Sequence, residues 1–242
     1  MASDSDMGFL DHLEELRWRI IKSLVGIVIG SVVVGFFIDW IMNNIIFAPA
    51  AQSNPPLSII NLRPYGQFII YMEVIFIGGA VLSVPNIIYQ IWKFVEPALK
   101  ENERKYVTGV VVFTSLCFLS GVVFSYFLML PAALGFFANF GSTIIENKIS
   151  ADEYMSFVIS LVIASGLVFE LPMLSFFLSK IGILKPSFMR KYRRHALVAI
   201  LLIAGIVTPG PDITSQVMLG IPLVGLYELS ILICKFSQKK TQ

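Results

Sequence analysis

The sequence predicts an all-α, polytopic membrane protein with six transmembrane helices, several of them kinked by proline, and with both termini in the cytoplasm. Three observations predict this fold class. Of the 242 residues, 56% are hydrophobic and 14% are charged, with a mean hydropathy of +0.79, which sets the chain apart from soluble domains. The apolar residues fall in long segments. The lysines and arginines are distributed very unevenly between those segments.

Six apolar segments follow one another along the chain. They are Ile20 to Ile46, Phe68 to Trp92, Tyr106 to Leu130, Tyr154 to Leu178, Leu197 to Val207 and Val217 to Cys234. Each of the first four supplies about 20 residues or more, enough to cross a hydrocarbon core about 30 Å thick. The fifth has only 11 residues. Because Pro186 suits the first position of a helix, we expect that helix to begin there and to carry the basic residues through Arg194 on the same rod.

An amphipathic segment precedes the first apolar one. Its apolar side chains lie on one helical stripe, formed by Phe9, Leu13, Leu16 and Ile20. Charged residues occupy the other faces, so we expect the helix to lie where the first span leaves the bilayer. The chain therefore divides into an amphipathic cytoplasmic segment at residues 1–19, a six-helix transmembrane domain at residues 20–234 and a cytoplasmic tail at residues 235–242.

The orientation follows from the basic residues. Sixteen of the 18 lysines and arginines lie in the amino-terminal segment, the second and fourth connections and the tail, and only Arg63 and Lys148 lie in the other connections. By the positive-inside rule, both termini and residues 93–105 and 180–194 are predicted to be cytoplasmic. The outer connections near Phe47 to Gln67 and Gly135 to Glu153 are rich in Pro, Asn and Ser, and we expect them to cap the outer face.

Two carboxylates of the amphipathic segment have arginines at helical spacing. Glu15 precedes Arg19 by four residues, and Glu14 precedes Arg17 by three. Such intrahelical pairs contribute a few tenths of a kcal/mol each, about 0.2–0.5. A purely structural role of these carboxylates is therefore the alternative to a functional one.

Small residues inside the apolar segments are interpreted as packing residues. Gly26 and Gly30 form a GxxxG pattern, which indicates close approach of two helices. Cys117 and Cys234 lie in separate apolar segments, so neither a disulfide framework nor a metal site is expected.

Glu170 is the most unusual residue of the apolar segments. It lies in the fourth segment, about eight residues or 12 Å from the cytoplasmic end, where a carboxylate costs about 2.5 to 3.5 kcal/mol to insert. It is expected to face protein or water and to be functional, the alternative being a protonated side chain hydrogen-bonded to a neighbouring helix. Pro172 should break the helix beside it, as Pro85 and Pro222 should break the second and sixth segments.

Seven stretches occur in order along most of the chain. They are HLEELRWRI at 12–20, PNIIYQIWKFVEPAL at 85–99, ENER at 101–104, FELP at 169–172, RRHALV at 193–198, TPGPDITSQ at 208–216 and LYE at 226–228. As a set they resemble the TatC family, the core subunit of the twin-arginine protein translocase. TPGPD stands where TPPD is more usual in the family, so the turn with Asp212 differs, and Ser165 stands where FG is usual.

The resemblance implies a receptor for signal peptides with two consecutive arginines. It implies that the receptor assembles with TatA and TatB type single-span subunits, as a homo-oligomer in the bilayer of the bacterial cytoplasmic membrane, and exports folded proteins using the proton-motive force. The carried-over site residues are Glu15, Glu103, Arg17, Phe94, Pro97 and Arg104 for signal-peptide binding and Glu170 for partner docking. Gln216, at the outer start of the sixth span, is a further polar candidate for docking. The prediction includes no cofactor, metal or nucleic acid.

Elementary chemistry agrees with the resemblance. A guanidinium presents a planar fork of donors that a carboxylate meets with two parallel bonds, which a lysine ammonium cannot reproduce. One carboxylate on the amphipathic helix and one on the second connection could therefore recognise two adjacent arginines. The nearby cations, which include Arg17, Arg104 and Lys105, should weaken non-specific attraction of other basic peptides.

Two other functional classes fit the sequence less well. A proton-coupled secondary transporter would use Glu170 as its ligand, but the spans show no repeat of three against three. An intramembrane enzyme lacks a nucleophile with a base, because the two histidines, His12 and His195, lie at the cytoplasmic edge. The same distribution argues against metal coordination.

Overall fold

The computed structural model describes residues 9–99, 104, 107–140, 148–207 and 213–239. Its helices and strands are α1 (Phe9–Phe36), α2 (Ile38–Ile41), α3 (Ala48–Ala51), β1 (Ser58–Ile60), α4 (Gly66–Leu82), α5 (Val84–Val95), α6 (Val107–Phe124), α7 (Leu130–Asn139), β2 (Lys148–Ser150), α8 (Ala151–Phe169), α9 (Leu171–Lys180), α10 (Pro186–Lys191), α11 (Arg193–Val207) and α12 (Ile213–Lys239). Two π-helical turns, Met42–Ile46 and Ser125–Met129, and a 3₁₀ turn, Glu96–Ala98, extend α2, α6 and α5.

The helices form an all-α membrane protein, as predicted. Within the described residues, three helical rods are long and apolar enough to cross a membrane: Asp11–Phe36, Val107–Asn139 and Ala151–Lys180. The bent pair α4–α5 makes a fourth if it is counted as one span. Large apolar side chains face outward along these rods, as Phe36 does at 82% exposure, which suits contact with lipid rather than water. The count of six spans and the side of each terminus stay predictions.

Proline breaks two of the spans where the sequence predicts it. The axes of α4 and α5 differ by 52° at a break that precedes Pro85. The fourth span breaks at Glu170, with Pro172 in the first turn of α9. A proline at the start of a helix loses no hydrogen bond, because the first amides of a helix have no intrahelical acceptor.

Two expectations about the last spans were wrong. Pro222 lies inside α12, which continues without interruption from Ile213 to Lys239, because its packing against α9 and α11 holds the helix together on both sides of the missing hydrogen bond. The predicted single rod from Pro186 through Arg194 is also broken. Pro186 does begin a helix, but α10 ends at Lys191, since Tyr192 has φ −96° and ψ 15°, outside helical geometry.

The GxxxG prediction is confirmed at the contact between α1 and α4. A Cβ atom at Gly30 would lie 2.5 Å from the carbonyl oxygen of Gly79, so only glycine permits this approach. Just beyond this contact, the Ser83 hydroxyl donates a 2.6 Å hydrogen bond to the carbonyl oxygen of Gly26. The backbones of the first two spans therefore lie in close contact at this point.

A small cap covers the end of the bundle opposite to the start of α1. It contains a parallel pair of strands, in which β1 pairs with β2 in the register Ser58 with Lys148. An ion pair joins Arg63 Nε to Asp152 Oδ2 at 3.4 Å. The two connections that were expected to cap one face therefore do so together.

Two tyrosine hydroxyls hold the first span to the fourth and third. Tyr154 and Tyr126 donate to the carbonyl oxygens of Ile46 and Ile45, at 2.6 and 3.0 Å. These carbonyls belong to the π-helical turn that ends the first span, where the regular helical hydrogen-bond pattern stops. Because Tyr154 is only 1% exposed, its hydrogen bond to Ile46 holds the end of the first span to the start of the fourth inside the bundle.

The predicted orientation can be tested by cysteine labelling. We expect Phe188→Cys, on α10, to be inaccessible to an impermeant maleimide in intact cells, because α10 lies in the most basic connection. Leu62→Cys, in the cap, is the matched control and should be labelled, since Phe188 and Leu62 are 55% and 69% exposed. Both variants are made in a chain with Cys117 and Cys234 replaced by alanine. Labelling at position 188 from outside would contradict the orientation.

Candidate functional site

The start of α1 packs against α5, with the two helices antiparallel and joined by a series of side-chain contacts. The His12 ring stacks on the Phe94 ring with centroids 4.3 Å apart. Further along, Arg19 Nη1 donates to Gln90 Oε1 at 3.2 Å. The side chain that lies between these contacts on α1 is Glu15. We call this region, with the turn after α5, the amino-terminal site; it comprises His12, Glu15, Arg17, Arg19, Gln90, Phe94, Pro97 and Arg104.

The polar face of α1, not its apolar stripe, contacts the protein. Leu13 and Ile20 are 45% and 51% exposed, whereas Glu15 and Arg19 are partly buried. This is the reverse of a soluble amphipathic helix, and it is favourable only where lipid covers the apolar stripe. Since α1 continues unbroken to Phe36, the amphipathic segment and the first span form one rod.

Glu15 is held in an ion pair. Its Oε1 accepts a 2.9 Å hydrogen bond from Arg19 Nη2, and the side chains of Glu15 and Arg19 are 21% and 22% exposed. The intrahelical pair expected at this spacing is therefore present. The second expected pair is not: no ion pair joins Glu14 to Arg17 in the described part of the chain, and the Arg17 guanidinium lies 5.8 Å from the centre of the Trp18 ring.

The turn after α5 is closed by Arg104. Its Nη2 and Nε donate to the carbonyl oxygens of Pro97 and Leu99, at 3.2 and 3.3 Å. The structure therefore joins two of the predicted site residues directly, Pro97 and Arg104. Phe94 contacts His12, which lies about one helical turn before Glu15 on α1. Glu103, the second predicted carboxylate, lies outside the described residues.

Arg19 and Gln90 are site residues that the sequence reasoning did not select. Gln90 is 7% exposed, and its Nε2 donates to Asn86 Oδ1 at 3.4 Å. Asn86 in turn donates to the carbonyl oxygen of Lys22 at 3.2 Å. Two amides four residues apart in an apolar segment were a usable signal, because a buried polar side chain requires a partner. Their partners lie on another helix, which the spacing alone does not reveal.

Glu170 lies at the break between α8 and α9. Its backbone joins the two helices, since its amide donates to the Leu167 oxygen at 3.2 Å and its carbonyl accepts from Leu174 at 2.9 Å. The side chain is half-buried. No residue of the described ranges forms a hydrogen bond or ion pair with its carboxylate, so the alternative of a bond to a neighbouring helix finds no support there.

Gln216 has a local contact. Its Nε2 donates to the Leu201 carbonyl oxygen at 2.6 Å and ties α12 to α11. No hydrogen bond between Gln216 and Glu170 is present in the described part of the chain. The two predicted docking residues are therefore not joined into one polar cluster.

The sequence matches, over residues 11–222, the family of Sec-independent protein translocase protein (TatC). A Sec-independent protein translocase protein TatC from Carboxydothermus hydrogenoformans is 37% identical over 237 residues, which cover 98% of this chain and 96% of that protein. The protein of the same name from Aquifex aeolicus is 34% identical over 236 residues, with 97% of each chain covered.

The fold is also similar to solved structures. One, described as the crystal structure of the twin arginine translocase receptor TatC, has a TM-score of 0.83 and 35% identity, and the match covers 94% of this chain and 99% of that one. A crystal structure of the receptor in DDM has a TM-score of 0.82 and 35% identity, with 91% and 98% covered.

Proposed function

The chain belongs to the TatC family of Sec-independent protein translocases, and we propose that its amino-terminal site is the place where a twin-arginine signal peptide binds. It is a multi-pass membrane protein and a core subunit of the twin-arginine translocase, not an enzyme. Because the chain belongs to this family, the alternative function as a secondary transporter is discarded.

The observation that carries the proposal is the setting of Glu15. Its carboxylate lies in a partly buried polar seam between α1 and α5, and it already accepts a guanidinium at 2.9 Å. A carboxylate that binds one guanidinium in this setting has the geometry and charge to bind another. We propose that Glu103, which precedes Arg104 in the sequence, supplies the second carboxylate.

The remaining predicted residues shape the site. Phe94 holds the two helices together through His12, and Arg104 fixes the turn at Pro97. Arg17 is exposed on α1 and adds positive charge near Glu15. A peptide cation that binds here must therefore gain more than simple charge attraction, which favours the directional bonds of arginine over the point charge of lysine.

We also propose the finer setting of the complex. The membrane is the bacterial cytoplasmic membrane, with the amino-terminal site on its cytoplasmic side. The partners are single-span subunits of the TatA and TatB type, which dock at Glu170 with Gln216 as a further polar contact. The receptor assembles from several copies of this chain. These proposals rest on the family, on the unpaired Glu170 carboxylate within the described residues and on the basic connections.

Binding of synthetic signal peptides to the purified chain in detergent tests the proposed site. We expect a peptide with two adjacent arginines to bind at least about tenfold more tightly than the same peptide with two lysines, because only guanidinium forms paired bonds to a carboxylate. Isothermal titration or fluorescence anisotropy gives the two dissociation constants. Equal affinity for the two peptides would contradict the assignment.

A further inference from the structure

We propose that Arg19 is an internal competitor for Glu15, held in place by Gln90, and that a signal-peptide arginine binds by displacing it. This inference rests on the proposed function, since its ligand is the twin-arginine signal peptide. It assigns to Arg19 and Gln90 a role in limiting the affinity of the site for cationic peptides, although neither is the carboxylate that binds the peptide.

The geometry shows that Arg19 is fixed at two points. Its Nη2 donates to Glu15 on the same helix at 2.9 Å, and its Nη1 donates to Gln90 on α5 at 3.2 Å. Gln90 is itself fixed, because it is 7% exposed and its other amide atom donates to Asn86. The guanidinium is therefore oriented by a second helix, unlike the mobile arginine of an exposed intrahelical pair.

One oxygen of Glu15 remains available for an exchange. Oε1 accepts the bond from Arg19, and no described residue donates to Oε2. An incoming guanidinium can begin with Oε2 and then take Oε1 as Arg19 leaves, so that the carboxylate is never without a donor. An ammonium cannot span both oxygens in one planar fork, and it would have to remove Arg19 without forming an equivalent pair.

The internal pair also reduces the attraction of unrelated cations. The positive charge of Arg19 largely neutralises Glu15 at a distance, so a passing lysine-rich segment experiences little net attraction. Every cationic ligand bears the same cost of displacing Arg19, so the competition lowers the affinity for all of them, and only a ligand that forms better bonds to Glu15 than Arg19 does still binds appreciably.

Two substitutions test the competition with the purified full-length chain and the twin-arginine and twin-lysine peptides. Arg19→Gln removes the competitor, and Gln90→Leu removes its support on α5 without changing the net charge. For Arg19→Gln we expect both peptides to bind at least about threefold more tightly, with the ratio of their affinities unchanged; for Gln90→Leu, we expect a smaller gain in the same direction. The control is Lys22→Gln, which removes one positive charge from an exposed position of α1 and should change both affinities by less than about twofold.

The outcomes separate the inference from the function on which it rests. Weaker binding of the twin-arginine peptide to a folded Arg19→Gln chain, or unchanged affinities in both variants, overturns the competitor role and makes Arg19 a support for Glu15. If wild-type protein does not distinguish the peptides, or if Glu15→Ala binds as well as wild type, the proposed function itself fails. Melting temperatures in detergent show whether Arg19→Gln is folded. If it is not, the affinities measured with Gln90→Leu decide whether Arg19 is a competitor.

Discussion

Replacing Glu15 and Glu103 by alanine is expected to reduce the affinity for a twin-arginine signal peptide by roughly tenfold to a hundredfold for each residue, because each loses a charge-assisted contact of about 1.5 to 3 kcal/mol. The chain should stay folded and inserted. Glu15 lies near the beginning of α1, outside the close contact of α1 with α4, and its partner Arg19 keeps its bond to Gln90. Photocrosslinking of a labelled peptide in membranes measures the loss.

Glu14→Ala is the matched control for this experiment. Glu14 is exposed on the same helical turn and forms no ion pair with Arg17 in the described part of the chain. The Glu14→Ala substitution removes the same charge as Glu15→Ala. The affinity of this variant for the peptide should change by less than about twofold, because only screened, long-range attraction is lost. Undiminished crosslinking in the Glu15→Ala, Glu103→Ala double variant would restore the purely structural interpretation of the Glu15–Arg19 pair.

Glu170→Ala is expected to abolish docking of the single-span partners while leaving the bundle stable. The carboxylate has no hydrogen bond or ion pair among the described residues, so alanine removes no polar contact there. The change in stability should therefore stay within about 0.5 kcal/mol, whereas crosslinks to a polar residue in the partner's span should fall at least about tenfold. Signal-peptide binding should be retained through Glu15 and Glu103.

The measurement is a paired one, with thermal stability in detergent beside partner crosslinking in membranes. Glu73→Ala, which removes an exposed carboxylate from α4, is the control and should change neither. An internal structural role would give the reverse pattern, in which Glu170→Gln is almost silent and Glu170→Ala unfolds the bundle. A destabilised Glu170→Ala chain whose folded fraction crosslinks normally would defeat the docking proposal.

The features of the fold that depend on local chemistry could be predicted from the sequence. A proline has no amide hydrogen wherever it stands, so the breaks near Pro85 and Pro172 were predictable. The close contact at Gly30 was predictable because a glycine in an apolar helix leaves space for a backbone. Pro222 was predicted wrongly, since its effect depends on how neighbouring helices hold α12.

The site was predictable in part, namely where its contacts are between residues close in sequence. Glu15 could be selected from its family motif, and its pairing with Arg19 from helical spacing. The contact of Arg19 with Gln90 could not, because residues 71 positions apart meet only once α1 and α5 have packed. The carboxylate of Glu170 was recognisable from its depth alone, since burial of a charge in an apolar segment is unfavourable in any fold.

Export of a folded fluorescent reporter tests the receptor function most directly. The gene for this chain is deleted in its own cells, and the reporter carries a signal peptide with two arginines or, as a control, with two lysines. We predict that the twin-arginine reporter crosses the membrane in the parent cells, stays in the cytoplasm after deletion and crosses again when the chain is restored, whereas the twin-lysine reporter stays in the cytoplasm throughout. A twin-arginine reporter that is exported equally well after the deletion would contradict the function.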